Sequence, residues 1–130
     1  MSMPAHILIV EDNEMSLALA EYLLRQSGYS IASAADGATG VHLALENTAH
    51  LILCDLDLPV LDGPQLVSAL RAERAWRKVP ILAFTAASPS DIQRRTLADF
   101  DGCVAKPIDP ASFAATVGEY LAPELRACNR

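Results

Sequence analysis

Five short apolar runs alternate with amphipathic stretches along this chain. The runs cover residues 6–10, 29–34, 51–55, 80–85 and 102–105, and their length and β-compatible composition predict buried strands. Each run is followed by a stretch with the character of a helix; after the first run, for example, Leu17, Ala20 and Leu24 recur at helical spacing. A fivefold strand–helix alternation predicts a parallel sheet covered by helices on both faces.

The predicted helices begin and end at residues with suitable capping chemistry. Asn13 and Asp36 are expected to cap the first and second helices, and Gly28 to end the first. Pro64 suits the first turn of the third helix, and Asp109 opens the last one. A fourth helix is predicted from residue 88 to about 98. Its apolar stripe is poor, so we expect it to be the most loosely packed.

Helical spacing and apolar character predict which side chains are buried. In the second and last helices the predicted buried residues are Ala38, Val41, Ala44 and Leu45, and Phe113, Val117, Tyr120 and Leu121, respectively. Cys54 and Cys103 lie in apolar runs and are expected to be small core residues.

Length and composition are those of an ordinary globular domain. The 130 residues predict one domain, with a core from about residue 5 to 122 and a frayed tail over 123–130. A net charge of −6 disfavours direct nucleic-acid binding, which needs clustered basic residues. Neither a signal peptide nor a membrane-spanning run is evident. The cysteines at 54, 103 and 128 are unclustered, which fits a reducing cytoplasm.

Charged and hydroxyl side chains stand at the ends of four predicted strands. Glu11 and Asp12 follow the first strand, Asp55 ends the third, Thr85 the fourth and Lys106 the fifth. In an open parallel sheet ligands bind beyond the carboxyl ends of the strands, so these groups can converge. Clustered carboxylates repel one another unless a cation is present, and hard oxygen ligands suit Mg²⁺. With an amine and a hydroxyl to bind an anion, the set is competent for phosphoryl transfer to a carboxylate.

Taken singly, each of these residues has an ordinary interpretation. Asp55 could cap its strand or start a turn, and Glu11 and Asp12 could be solvated loop carboxylates. Thr85 could bond the backbone, and Lys106 could be plain surface charge. The joint pattern at successive strand ends favours one shared site.

Four segments of the chain resemble the motifs of response-regulator receiver domains, the phosphoacceptor modules of two-component signalling. In the order and spacing of that family they are Val10-Glu11-Asp12-Asn13, residues 55–63 (DLDLPVLDG), Phe84-Thr85-Ala86 and Ala105-Lys106-Pro107. The resemblance covers nearly the full length. It implies an α/β fold, a (βα)5 doubly wound five-stranded parallel sheet with the flavodoxin-like strand order 2-1-3-4-5.

The resemblance also implies a phosphoacceptor and a metal site. Asp55 resembles the residue that accepts the phosphoryl group. Asp12 resembles the direct ligand of Mg²⁺, and Glu11 would assist through water. Asp55 and the backbone carbonyl of Asp57 complete the expected metal-binding set.

Two further residues resemble those that engage the bound phosphoryl group. Thr85 resembles the hydroxyl that moves toward it, and Lys106 resembles the lysine that pairs with it. The Lys106–Pro107 bond resembles one that is often cis in the family. Cys103 departs from the pattern, because Tyr or Phe usually stands there, so the ring movement that accompanies the threonine in the family is not expected here.

The function that this resemblance implies is signalling by protein contact. A histidine kinase or histidine phosphotransfer protein would dock on the first helix and phosphorylate Asp55, which would alter binding of a downstream effector protein. Apart from self-phosphorylation and autodephosphorylation, no enzymatic activity is expected. The fourth helix, fifth strand and last helix would form the output surface, and homodimerisation through it stays open.

Several alternatives remain. No output domain follows within the 130 residues, so the chain is expected to be a stand-alone regulator or a receiver excised from a hybrid histidine kinase or larger regulator. A haloacid-dehalogenase-type phosphatase also uses two aspartates spaced like Asp55 and Asp57. Pro59, however, stands where that motif expects Thr or Val, and there is no room for a cap domain. A degenerate receiver used only for binding is disfavoured by the intact site residues.

Overall fold

A central parallel sheet organises the structure, a computed structural model that describes residues 5–47, 49–56, 58, 60–86, 95 and 97–122. The strands are β1 (His6–Val10), β2 (Ser30–Ala34), β3 (Leu51–Asp55), β4 (Ile81–Ala86) and β5 (Gly102–Lys106). Neighbouring strands pair in parallel in the order β2-β1-β3-β4-β5. The predicted fold and strand order are therefore confirmed, and the carboxyl ends of all five strands lie at one edge.

The helices follow the strands as the alternation predicts. They are α1 (Glu14–Gln26), α2 (Gly37–Glu46), α3 (Gly63–Arg71) and α4 (Phe113–Gly118), with 3₁₀ turns at Arg74–Trp76 and Leu97–Asp99. The predicted fourth helix, residues 88–98, lies almost entirely outside the described residues. None of the helices in the described part of the chain has both the length and the apolar character needed to cross a membrane.

Local capping chemistry sets the helix ends close to the predicted residues. The side chains of Asn13 and Asp36 accept hydrogen bonds from the third residue beyond each, at 2.9 and 2.7 Å. Gly28 follows α1 with a φ of 99°, a left-handed conformation that favours glycine. The predicted caps are thus confirmed. The last helix, however, begins at Phe113 rather than at Asp109, whose carboxylate instead holds the turn before it.

Two apolar layers cover the two faces of the sheet. On one face, α1 and α4 pack with Leu24 and Val117 against the strands; on the other, α3 packs with Leu66 and Leu70. These four side chains are all buried completely. Burying one such side chain contributes roughly 1.5–3 kcal/mol, so this layering holds the strand ends in place.

The predicted apolar face of α2 is partly wrong. Ala44 is buried, but Ala38 is exposed and Leu45 is 54% exposed. Gly37 and Gly40 face inward instead, because α2 approaches its neighbours too closely for a side chain. A Cβ on Gly37 would lie 1.7 Å from the backbone oxygen of Leu61.

Two further burial predictions also need correction. Tyr120 is 36% exposed rather than buried, although its ring lies against Gly102. Cys54 is buried as predicted, but Cys103 is exposed. Side chains alternate along a strand, so Val104 faces the core while Cys103 faces the other way on the edge strand β5.

Candidate functional site

The carboxyl ends of β1 and β3 bring three carboxylates together. In the parallel register Val10 lies opposite Cys54, so the residues that follow them are neighbours. Glu11, Asp12 and Asp55 each place one carboxylate oxygen within 4.8 Å of the others. Glu11 is buried, Asp55 is half-buried and Asp12 is exposed. The convergence expected of these three residues is therefore present.

The buried carboxylate of Glu11 is held on both of its oxygens. Oε2 accepts a hydrogen bond from the backbone N–H of Asn13 at 3.1 Å, and Oε1 pairs with Nζ of Lys106 at 2.7 Å. The backbone of Glu11 is fixed as well, because its N–H donates to the carbonyl of Ala34 at 3.0 Å. A buried charge is costly unless it is paired, so these contacts are what allow Glu11 to lie beneath the site.

Lys106 brings the positive charge into this cluster from the end of β5. Its Nζ lies 2.7 Å from Oε1 of Glu11 and 3.6 Å from Oδ2 of Asp55. Partial burial by itself would lower the pKa of Lys106. The hydrogen bond with Glu11 and the charges of Asp55 and Glu11 outweigh burial and raise the pKa above its usual value. Lys106 therefore stays protonated, and its bond to Pro107 is cis, as expected.

Thr85, near the end of β4, places a hydroxyl in a buried environment. The residue is 6% exposed, and its Oγ1 has no hydrogen-bond partner among the residues that the structure describes. The ordinary interpretation, a hydroxyl that bonds the backbone, is not observed within that part of the chain. An unpaired buried hydroxyl costs free energy, so Thr85 is suited to bond a ligand oxygen.

One predicted site residue cannot be placed. Asp57 lies outside the described residues, so the backbone carbonyl expected to bind a metal stays a prediction.

Cys54 precedes Asp55 in β3, and its side chain is buried. Its Sγ donates a hydrogen bond to the backbone carbonyl of Asp55 at 3.2 Å. Burial, followed by the negative charges of Asp55, Glu11 and Asp62, raises the pKa of the thiol far above its usual value. The thiol therefore stays protonated at neutral pH, which makes it a poor nucleophile.

The segment between β3 and α3 contains structural features that the sequence analysis missed. Asp62 and Gln65 form a reciprocal capping box at the start of α3, with bonds of 2.9 and 3.0 Å. Gly63 passes so close to β3 that a Cβ would lie 2.8 Å from the carbonyl oxygen of Asp55. Val60 has a φ of 71°, a strained conformation for a β-branched residue. The capping box could have been predicted from the Asp-x-x-Gln spacing of residues 62 and 65. The strained φ of Val60 could not, because no feature of the neighbouring sequence indicates it.

Phe84 was also missed as a neighbour of the site. Its ring centroid lies 5.6 Å from Nζ of Lys106, within the distance at which a ring face attracts a cation. The available signal was alternation, because Phe84 pairs with Asp55 across the sheet and so shares its face.

The chemistry of the donor set fits a hard divalent cation. Three carboxylates and one ammonium leave a formal charge of −2, which one divalent ion would balance. The most exposed carboxylate, Asp12, is open to a hydrated ion, and Mg²⁺ keeps several waters when it binds to proteins. The residues present are therefore compatible with a magnesium site.

Comparison with known proteins gives a consistent result. The family model for the response regulator receiver domain matches residues 7–118. The polar-differentiation response regulator DivK of Brucella anthropi is 33% identical over 120 residues, which are 92% of this chain and 98% of DivK.

Solved structures agree in fold over nearly the whole chain. A receiver domain of a sensor histidine kinase from Pseudomonas aeruginosa is 33% identical with a TM-score of 0.83, and the match covers 90% of this chain and 97% of that one. That protein was crystallised with a magnesium ion coordinated in its active-site cleft. The chemotaxis response regulator CheY4 of Vibrio cholerae is 27% identical with a TM-score of 0.84, covering 91% of this chain and 99% of that one.

Proposed function

This chain belongs to the response-regulator receiver-domain family, and we propose that it accepts a phosphoryl group on Asp55 from a phosphohistidine protein. The observation that carries the proposal is the cluster at the sheet edge, in which three carboxylates lie together and two of them, Glu11 and Asp55, pair with the protonated Lys106. Family membership makes the haloacid-dehalogenase interpretation wrong. A receiver that only binds partners is the remaining alternative.

In the proposed reaction a carboxylate oxygen of Asp55 attacks the phosphorus atom of the donor. The new P–O bond forms as the P–N bond to the donor's imidazole breaks, and the imidazole nitrogen keeps the electron pair. Asp55 is suited to this role because it is half-buried at the carboxyl end of the central strand β3. Water later attacks the same phosphorus atom and releases inorganic phosphate, so Asp55 returns to a carboxylate.

Lys106 and Thr85 are proposed to bind the oxygens of the transferred group. The ammonium lies 3.6 Å from Oδ2 of Asp55, close to where a phosphoryl oxygen would be added. The buried hydroxyl of Thr85 would gain there the hydrogen-bond acceptor that it lacks within the described residues. Phosphorylation adds roughly −1.5 to −2 charges at neutral pH, so both contacts strengthen after transfer.

A magnesium ion is the proposed cofactor. Asp12 and Asp55 would bind it directly, Glu11 through water, and Asp57 through its backbone carbonyl. When bound, the ion would neutralise charge on the phosphoryl oxygens and the carboxylates during transfer. Glu11 meanwhile holds Lys106 in place from below through the 2.7 Å ion pair.

The proposed partners are those of a signalling module. The donor would be a histidine kinase or a histidine phosphotransfer protein, docked on α1, and the output would be altered binding of an effector protein. Dimerisation after phosphorylation is a further option for that output. A cytoplasmic location belongs to the same proposal, supported by the free thiols of Cys54 and Cys103. Both a stand-alone regulator and a domain of a larger kinase are compatible with these features.

Intact mass spectrometry tests the acceptor chemistry. The chain is incubated with acetyl phosphate, a small phosphodonor, in Mg²⁺ and in parallel in EDTA. We expect one added phosphoryl group in Mg²⁺ and none in EDTA. If no adduct forms under either condition, beryllofluoride binding separates two explanations, because this phosphoryl mimic is not hydrolysed. Binding would indicate rapid hydrolysis, whereas no binding would contradict the proposal and leave a receiver that only binds partners.

A further inference from the structure

Lys106 is poorly restrained by its own position in the chain. It is the last residue of β5, which pairs with β4 at the edge of the sheet that the described residues form, and its side chain is 28% exposed. A lysine side chain is flexible, and holding it in one geometry costs rotamer entropy. The ion pair with Glu11 holds the ammonium from below, and Asp55 lies 3.6 Å away. A contact on a further side would restrain the ammonium more closely beside Asp55.

The ring of Phe84 lies where it can supply that restraint. Within the sheet Phe84 pairs with Asp55 on one side and Val104 on the other, and Lys106 is two residues beyond Val104. Two-residue alternation therefore puts the acceptor carboxylate, the ring and the ammonium on one face. The ring is fully buried, with its centroid 5.6 Å from Nζ of Lys106.

The ring of Phe84 is itself fixed by a second aromatic ring. Phe113, the first residue of α4, stacks on it with a centroid distance of 6.2 Å and an interplanar angle of 21°. Phe113 is 2% exposed and belongs to the same apolar layer. Such a stacked pair has little freedom to tilt, so the face that Phe84 presents to the ammonium is held constant.

We propose that Phe84 is a positioning residue that holds the Lys106 ammonium beside Asp55 and that Phe113 fixes the ring which does so. The electron-rich face of a ring attracts a cation without adding a negative charge. A fourth carboxylate at this place would repel the incoming phosphoryl group, whereas a ring does not. The ammonium is thus kept close but remains free to move from Glu11 toward the phosphoryl oxygens. This inference rests on the proposed function for its catalytic consequence, but the restraint on Lys106 can be measured separately.

Fluorination separates this role from simple core packing. Replacing Phe84 by 3,4,5-trifluorophenylalanine keeps nearly the same shape and apolar character of the ring. The fluorine atoms withdraw electrons and so remove the negative electrostatic potential over the ring face. We expect phosphoryl uptake from acetyl phosphate in Mg²⁺ to slow about two- to fivefold. Phe100 is the matched control, because it is buried in the layer on the other side of the sheet. The same replacement there should leave uptake unchanged. Equal rates for the parent and for the fluorinated Phe84 protein would overturn the proposal.

A second measurement needs no phosphorylation. The ring current of Phe84 should shift the ε-methylene protons of Lys106 upfield in the NMR spectrum. In Phe84→Leu these protons should move toward the ordinary lysine position, and the side chain should become more mobile; Phe100→Leu should change neither. If Phe84→Leu leaves the Lys106 signals as in the parent, the ring does not position the lysine. If these shifts behave as expected but the parent accepts no phosphoryl group, the positioning stands and the proposed function fails.

Discussion

Asp12→Asn tests the electrostatic balance of the site. Asp12 is exposed, and its carboxylate lies within 4.8 Å of those of Glu11 and Asp55. Lys106 forms ion pairs with these two neighbours, but none with Asp12 is observed among the described residues. The substitution therefore removes repulsion without breaking an ion pair.

The size of the effect follows from the geometry. Two unit charges 4.8 Å apart repel by about 1 kcal/mol in water and by about 3.5 kcal/mol at an effective dielectric constant of about 20. Because Asp12 is exposed, the lower value applies to each of its two repulsions. The ammonium of Lys106, which lies against both neighbouring carboxylates, offsets part of this repulsion, so we expect Asp12→Asn to raise the free energy of unfolding by about 1 kcal/mol in EDTA.

Magnesium should reverse the order of stability. An ion at about 100 times its dissociation constant stabilises the folded state by about 2.7 kcal/mol, and Asp12→Asn should lose most of this gain. The assay is urea unfolding at pH 7, in EDTA and in Mg²⁺. Asp99→Asn is the control, because Asp99 is exposed outside the cluster and the net charge changes equally. The reasoning is refuted if Asp12→Asn is less stable than the parent in EDTA, or if Mg²⁺ stabilises both proteins equally.

Three other substitutions probe the surroundings of the site. Asp62→Ala removes the capping box of α3 and should lower the free energy of unfolding by about 1 kcal/mol in urea titrations, with no change in phosphoryl uptake. Val60→Gly should raise the free energy of unfolding by about 1 kcal/mol, because glycine relieves the backbone strain and the valine side chain, 82% exposed, contributes little packing. A decrease would mean that the φ of 71° costs no free energy. Lys106→Met should lower stability by about 2 kcal/mol at pH 7, since Glu11 loses its counter-charge. The pKa of Lys106 is raised in the folded state, so this difference should be constant from pH 7 to the usual value of 10.5 and shrink as the pH rises through the folded pKa; a difference that already shrinks between pH 7 and 10 would contradict the assignment.

The strands, caps and strand-end cluster could be predicted because each depends on local patterns or on one topological rule. Short apolar runs predict strands, and the Asn13 and Asp36 caps act within one helical turn. Parallel strands have their carboxyl ends at the same edge of the sheet. The carboxylates at the ends of β1 and β3 are therefore neighbours once these two strands pair.

The features that could not be predicted depend on close contacts between elements that are distant in the sequence. Gly37 and Gly40 form the inward face of α2, and because glycine has no side chain, an apolar pattern in the sequence cannot identify this face. It faces inward because α2 lies very close to Leu61 and Val10. Cys103 belongs to an apolar run, but the run forms an edge strand whose second face leaves this residue exposed.

The contact between Lys106 and the ring of Phe84 could not be predicted from spacing alone. Alternation places both residues on one face of adjacent strands, but the direction of a long side chain depends on what surrounds it. The lack of a partner for the buried Thr85 hydroxyl likewise could not be predicted from the sequence. It depends on which polar groups the packed strands bring near this hydroxyl, and within the described part of the chain they bring none into hydrogen-bonding position.

The most direct test of the central claim is to locate the phosphoryl group on the chain. Acyl phosphates are reduced by borohydride, which converts a phosphorylated aspartate to homoserine. After incubation with acetyl phosphate and Mg²⁺, reduction and tandem mass spectrometry should find homoserine at position 55, and Asp55→Asn should yield none there. Homoserine at Asp12 or at another aspartate of the parent, with position 55 unchanged, would contradict the assignment of Asp55 as the acceptor.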